Sequence, residues 1–286
     1  MQTGVIGIIG GSGFYNMAGM TDVSSVAVDT PFGATSDPVV TGKIAGRDVA
    51  FIARHGRGHR VNPTHVPVRA NIFALKTLGV THLLSISAVG SMKEEIEPLH
   101  MVVPDQLIDR TVARPRTFFD DGPVVHVAFA NPYDDTFRDL LANAAESAGA
   151  TVHRGGTYIC IEGPQFSTIA ESLLFRSWGV SVIGMTAMPE ARLAREAEMC
   201  YATLAMATDY DSWHLDHDNV TVDLVVRNLN KNVQRAQDTV EALVASLPNE
   251  YESPAASALE NAIMTAPEAI PEEVKERLKP LLSKYV

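Results

Sequence analysis

Ala205-Met206-Ala207-Thr208-Asp209-Tyr210-Asp211-Ser212-Trp213 is the segment from which the architecture of this chain can be worked out. It closes an apolar run that starts at Cys200 and reads as a buried strand. With no turn residue between, the run delivers two carboxylates, Asp209 and Asp211, one residue apart. Side chains alternate along an extended segment, so the spacing predicts both carboxylates on one side and Tyr210 on the other. In an open α/β sheet, ligands bind in the crevice outside the carboxyl ends of the strands. A carboxylate pair there accepts hydrogen bonds from a ligand amine, or donates a proton if one member stays neutral. Taken alone, Asp-x-Asp reads as two carboxylates solvating a loop. The other strand ends decide the matter.

Composition bounds the answer. The chain has 286 residues, 46% of them hydrophobic, enough for a large α/β core. With 34 acidic against 23 basic residues the net charge is −11, which argues against a nucleic-acid partner gripped through its phosphates. A small anion needs only a few local donors and stays open. Cys160 and Cys200 sit in apolar surroundings and suggest neither a disulfide framework nor zinc. The N-terminus lacks a basic leader, and no apolar stretch approaches the roughly 18 residues of a membrane span. The expectation is a cytoplasmic protein with no membrane partner.

Working outward, Val5 to Ile9 reads as a strand ending in Gly10-Gly11-Ser12-Gly13. The third glycine of a dinucleotide fingerprint is missing, so a phosphate-binding turn is favoured, with a purely structural glycine turn as the alternative. Val39–Ile44 and Asp48–Ala53 form a predicted hairpin that runs into Arg54-His55-Gly56-Arg57-Gly58-His59-Arg60. This basic run, at a strand end in an acidic protein, suits a phosphate or carboxylate better than bulk solvent. Val66–Leu78 is a predicted helix. Thr81–Ser91 is a strand entering a small-residue turn at Ser87-Ala88-Val89-Gly90, where Ser87 can hold another edge of an anion.

Met101–Ile108 reads as one strand, Asp134–Ala148 as a helix, and Tyr158–Ile161 as a strand opening into Glu162-Gly163-Pro164-Gln165-Phe166-Ser167. Phe166 there is a stacking face for a flat ligand or a packing anchor. A helix over Thr168–Trp178 and a strand over Val180–Ile183 follow. Met185 and Met188 line a pocket or fill the core, and Pro189 opens a helix. Val222–Leu247 is a long amphipathic helix, and a helical tail from about residue 248 ends in a charged helix over Glu272–Lys284. The expected architecture is a single α/β domain spanning 1–286, with a mixed central sheet flanked by helices.

Taken in order, five strand ends carry Gly10-Gly11-Ser12-Gly13, Arg54-His55-Gly56, Ser87-Ala88-Val89-Gly90, Gly184-Met185-Thr186 and Thr208-Asp209-Tyr210-Asp211. Together with Asp29-Thr30-Pro31-Phe32-Gly33, Gln106–Thr111, Ile161-Glu162-Gly163-Pro164 and Met199-Cys200-Tyr201-Ala202, they resemble the purine nucleoside phosphorylase superfamily, most closely its methylthioadenosine phosphorylase branch. The likeness runs from Val5 to about Leu247. It implies phosphorolysis of 5′-methylthioadenosine to adenine and 5-methylthioribose 1-phosphate, with inorganic phosphate as co-substrate and neither metal nor organic cofactor.

The resemblance puts phosphate against Ser12, Arg54, His55, Ser87, the Ala88 backbone and Thr186. It puts the base and sugar beside Phe166, Ser167, Met185, Asp209 and Asp211, with the two aspartates catalytic. Val222, Val226 and an intersubunit His126 would line an apolar 5′ pocket in a homotrimer. Gln165 stands where the family commonly has arginine. Aspartate rather than asparagine at position 209 favours a 6-amino purine, because a carboxylate accepts from that amine. The alternatives are a 6-oxopurine nucleoside or methylthioinosine phosphorylase, a nucleoside hydrolase, and a non-enzymatic nucleotide-binding regulator.

Overall fold

The computed structural model describes residues 4–11, 19–214, 221–251 and 253–286. Its strands are β1 (Val5–Gly10), β2 (Thr21–Val26), β3 (Val39–Ile44), β4 (Arg47–Ala53), β5 (Val80–Ser91), β6 (Met101–Val103), β7 (Gln106–Arg110), β8 (Val152–Arg154), β9 (Thr157–Ile161), β10 (Val182–Gly184) and β11 (Cys200–Asp209). The helices are α1 (Val68–Thr77), α2 (Asp135–Ser147), α3 (Ile169–Ser177), α4 (Ala187–Glu196), α5 (Val222–Ser246), α6 (Glu272–Arg277) and α7 (Lys279–Leu282). All the strands join one mixed sheet whose main path is β2-β3-β4-β1-β5-β10-β9-β7, with β11, β6 and β8 branching from β5.

Strand alternation builds a core on each face. On β1, Ile6 and Ile8 face α2 and α5, while Ile9 faces the side of α1 and α4; β4 divides Val49 and Phe51 from Ala50 and Ile52 in the same way. β11 is buried along its whole length, because helices cover both of its faces. The tail joins this packing: Leu278, Leu281 and Leu282 share the core with Ile72 and Leu75 of α1.

β5 is the hub. Its first half pairs in parallel with β1 on one side and β11 on the other, from Val5↔Val80 and Cys200↔His82 onward. Its last residues instead pair antiparallel with β10, Ile183 opposite Gly90 and Val182 opposite Ser91. Two sets of strands therefore approach from opposite directions, and their carboxyl ends meet at Val89-Gly90.

Three expectations are corrected here. The stretch Met101–Ile108 is two strands, not one. Pro104 offers no N–H to continue the ladder, and the chain switches neighbours, β6 pairing with β11 and β8 but β7 with β9. Glu272–Lys284 is two short helices joined at Leu278, with Pro280 in the first turn of the second. Ser87–Gly90 is not a turn: β5 runs straight through it to Ser91.

Candidate active site

The opening stretch does bring its two carboxylates together, but by a turn rather than by alternation. The register between β11 and β5 shifts between Ala207 and Asp209, and β11 ends at Asp209. Asp211 then takes a left-handed backbone (φ 50°), tolerated better by aspartate than by most residues, and starts a short 3-10 turn through Trp213. Its N–H comes back to Asp209 Oδ1 at 2.9 Å. Asp209 Oδ2 accepts from Thr208 Oγ1 at 2.7 Å, and Ser172 Oγ donates to Asp211 Oδ2. Trp213 anchors the turn by donating from its indole N–H to Ser91 O at 2.7 Å.

Both aspartates line a small cavity of ≈90 Å³ where the strand ends meet. Asp209 is 5% exposed, and burial pushes its carboxyl up to about 6; the negative charge of Asp211 adds to this, while the donors Thr208 and the Asp211 N–H oppose it. Burial also raises Asp211, against the pull of Ser172. A carboxyl so placed holds a proton closer to neutrality than aspartate ordinarily does, as a general acid requires.

The other predicted base and sugar residues are on the same walls: Phe166 at the mouth, Ser167 and Met185. Among the described residues, Ser167 Oγ is buried without a hydrogen-bond partner. Such a group is normally satisfied by something, and a seated ligand is one candidate. Gly90 makes the room. An added Cβ would stand 2.9 Å from Asp209 Oδ1, 3.1 Å from Ile183 Cγ2 and 3.2 Å from Asp211 Cβ.

Ala88 lines the cavity too, immediately after Ser87, whose buried hydroxyl stands beside that of Tyr158. Arg54, His55 and Thr186 are not on the cavity wall, although Thr186 directly follows Met185, which is. Arg54 follows the end of β4 and donates from Nη1 to Ile86 O at 2.9 Å, one residue before Ser87. His55 Nδ1 lies 2.9 Å from Val61 O, and burial, with the Arg54 charge as the next cause, pushes the ring down to about 4, so it stays neutral. Thr186 precedes α4 as its N-cap residue and makes no capping bond with its side chain. Its hydroxyl suits an anion, but the start of α4 offers no row of free amides: Met188 is non-helical with its N–H on Cys160 Sγ, and Pro189 has none. Of the basic run, Arg57 and Arg60 are exposed and lie 3.4 and 4.0 Å from Asp37, away from this grouping. Ser12 lies outside the described residues.

Three expected residues do not line the cavity within this single chain. Val222 and Val226 are on the exposed side of α5, and Val225 lines the cavity. His126 is exposed, with its N–H bonded to Ala262 O, and does not line the cavity within this chain. Asn228, on α5, donates to Thr208 O at 2.8 Å and so ties that helix to the end of β11.

Sequence reasoning missed Arg114, which lay inside a proline- and charge-rich excursion. Its guanidinium, 3% exposed, reaches Glu162 Oε1, Ile161 O and Glu162 O on one loop and Met185 O and Met188 O on another. All five of its N–H groups are used, so it locks together the two loops that follow β9 and β10. Arginine in a predicted loop was the available signal, but nothing local names its acceptors.

A family profile described as the phosphorylase superfamily matches residues 5–245. An S-methyl-5′-thioadenosine phosphorylase of Geobacter sulfurreducens is 57% identical over 99% of both chains. One from Koribacter versatilis is 54% identical over 98% of this chain and 96% of its own. Among solved structures, a methylthioadenosine phosphorylase from an antarctic soil metagenomic library superposes with a TM-score of 0.93 at 49% identity, covering 99% of this chain and all of its own. A mutant adenosine/methylthioadenosine phosphorylase of Schistosoma mansoni in complex with methylthioadenosine gives 0.81 at 35% identity, covering 84% and 90%.

Proposed function

The chain belongs to the phosphorylase superfamily, and from that membership we propose that its cavity carries out the phosphorolysis of 5′-methylthioadenosine. The products are adenine and 5-methylthioribose 1-phosphate. The observation that carries the reading is a buried protonatable acid, Asp209, on the wall of a cavity that Ala88 and Met185 also line, next in the chain to Ser87 and Thr186.

Cleavage of the N-glycosidic bond leaves the bonding pair on the purine and cationic character on the sugar. Asp209 gives its proton, or a strong hydrogen bond, to N7 of the departing base. Asp211 and Ser167 position that base, and Phe166 and Met185 border base and sugar. Arg54, Ser87, the Ala88 backbone, Thr186 and Ser12 hold phosphate for attack on the anomeric carbon. His55 is kept neutral, and with Nδ1–H donating to Val61 O its Nε2 can accept the O–H of hydrogen phosphate without adding a second positive charge. Phosphate supplies both the nucleophile and the charge that stabilises the cationic sugar, so the chemistry calls for neither a metal nor an organic cofactor.

The assembly we propose is a homotrimer. Ile169, Leu173, Leu174 and Trp178 give α3 an exposed apolar face, and Val222 and Val226 add to the apolar surface of α5. Apolar surface of this kind marks association. It also gives Val222, Val226 and His126 a place in a 5′ pocket closed by a neighbouring copy. Sedimentation at the mass of three chains supports this, and a single-chain mass refutes it. Free buried cysteines fit a reducing, cytoplasmic setting, and among the described residues no helix is long and apolar enough to cross a membrane.

The reaction is tested by product analysis. Methylthioadenosine is expected to yield adenine only when phosphate is added, with methylthioinosine turned over at least tenfold more slowly. Mispairing a buried polar group at the 6-position costs on the order of 1–3 kcal/mol. Cleavage without phosphate would point to a hydrolase, and equal rates on the two nucleosides would remove the specificity assigned to Asp209.

A further inference from the structure

Arg54 is central to the anion half of this reaction, yet its side chain is almost fully occupied. It is 2% exposed, as is the side chain of Glu190 on α4. Nε lies 2.5 Å from Glu190 Oε1, and Nη2 lies 3.1 Å from Oε2, 2.8 Å from Ser85 Oγ and 3.3 Å from Ile9 O. Nη1 has one acceptor, Ile86 O. Of the five guanidinium N–H groups, one on Nη1 is left without an acceptor among the described residues, and it sits at the Ser87 end of the side chain. Glu190 also accepts from Ser85 Oγ at 2.9 Å, which fixes its own carboxylate.

We propose that Glu190 is a positioning residue for phosphate: it clamps two edges of Arg54, aims the remaining Nη1 edge toward Ser87, and cancels the guanidinium charge behind the anion. The inference rests on the assignment of phosphate to Arg54 made above. An unpaired guanidinium in a dry site would attract a phosphate dianion very strongly. Both the co-substrate and the sugar phosphate product would then leave slowly. With a carboxylate on its far edges, Arg54 acts as an oriented dipole. Phosphate is held by hydrogen bonds that are aimed but not overwhelming, and the product is free to go. A bidentate pair also fixes the plane of the guanidinium, which a single contact does not.

A purely structural role and a charge-balancing role predict opposite results. If Glu190 only braces the fold, Glu190→Gln should weaken phosphate binding together with stability. If it balances charge, phosphate takes over as the missing anion and binds more tightly. Wild type and E190Q are compared by calorimetric titration with inorganic phosphate, by thermal unfolding across phosphate concentrations, and by kinetics with methylthioadenosine. The expected result is a phosphate Kd at least tenfold lower in E190Q, a lower Tm without phosphate that rises more steeply as phosphate is added, and kcat and KM for phosphate that both fall. A folded E190Q with an unchanged or raised phosphate Kd overturns the inference.

The double variant R54Q/E190Q covers the case in which E190Q does not fold, since removing both members of a buried pair is tolerated far better than removing one. Its net charge matches wild type, so its phosphate Kd should lie within about tenfold of wild type, the loss of a hydrogen bond. A loss beyond a hundredfold would show that the Arg54 charge acts unbalanced, and would overturn the inference as well. Wild-type enzyme that cleaves without phosphate would instead strike the functional assignment, leaving the Arg54–Glu190 geometry as a fold feature.

Discussion

Asp209→Asn is expected to lower kcat/KM for methylthioadenosine by about 10³-fold, within the range that general acids contribute. It should also turn the residual preference toward methylthioinosine, and it should stabilise the protein at pH 7. The replacement fits the site. An asparagine Oδ1 still accepts from the Asp211 N–H, and its amide can donate to Thr208 Oγ1, which has Val89 O within 3.2 Å as its own acceptor. What is lost is the proton for N7.

The pH dependence follows from the buried carboxyl. Its value of about 6 lies above the ordinary 3.8, so the unfolded chain releases its proton first as pH rises. The stability this one carboxyl contributes is therefore full below pH 4 and declines between pH 4 and 6, by about 3 kcal/mol for a shift of this size. Asparagine does not ionise, so the variant gains on wild type across that window and keeps the gain at pH 7. Activity has the same origin. Wild-type kcat/KM for the nucleoside should fall as pH rises through about 6, and that limb should vanish in the variant. A variant that kept both the limb and the adenine preference would remove Asp209 from the acid role.

Gly90→Ala is the second large effect, at least a hundredfold in kcat/KM. The new methyl would press on Asp209 Oδ1, Ile183 and Asp211 Cβ at 2.9–3.2 Å, and none has an easy retreat. Asp209 is pinned by Thr208 and Asp211, Asp211 by Ser172, and Ile183 belongs to a buried cluster with Tyr210 and Trp213. Overpacking of this kind costs roughly 1–3 kcal/mol of stability, and a site displaced by a fraction of an ångström loses catalysis much faster than it loses fold. Kinetics and thermal unfolding on the same preparation separate the two. A G90A variant with wild-type kcat/KM would show that Asp209 tolerates displacement.

Most elements could be read from local patterns. β1, β4 and β11 show apolar strand runs, and α2, α3 and α5 start at residues that do cap them: Asp134, Thr168 and Thr221 each accept a backbone N–H of the first turn. Boundaries failed where a neighbour had to change. The break between β6 and β7 is set by which strands stand beside each half, and that information lies some 50 residues downstream, in β8 and β9.

The site divides along the same line. Which residue types stand at the strand ends, and hence the resemblance to phosphorylases, was a property of the chain alone, because strand ends and small-residue stretches are local signals. The clamp on Arg54 was not, since its carboxylate partner lies 136 residues away. Nor was the Arg114 lock, the choice of Val225 over its neighbours on α5, or the emptiness above Gly90 that admits Asp209. Those depend on distances between elements, and packing of the whole sheet and its helices sets such distances. Residue order along the chain sets which chemical groups are available; long-range packing settles which of them face one another, because burial, charge pairing and free space arise from contacts between segments far apart in the chain.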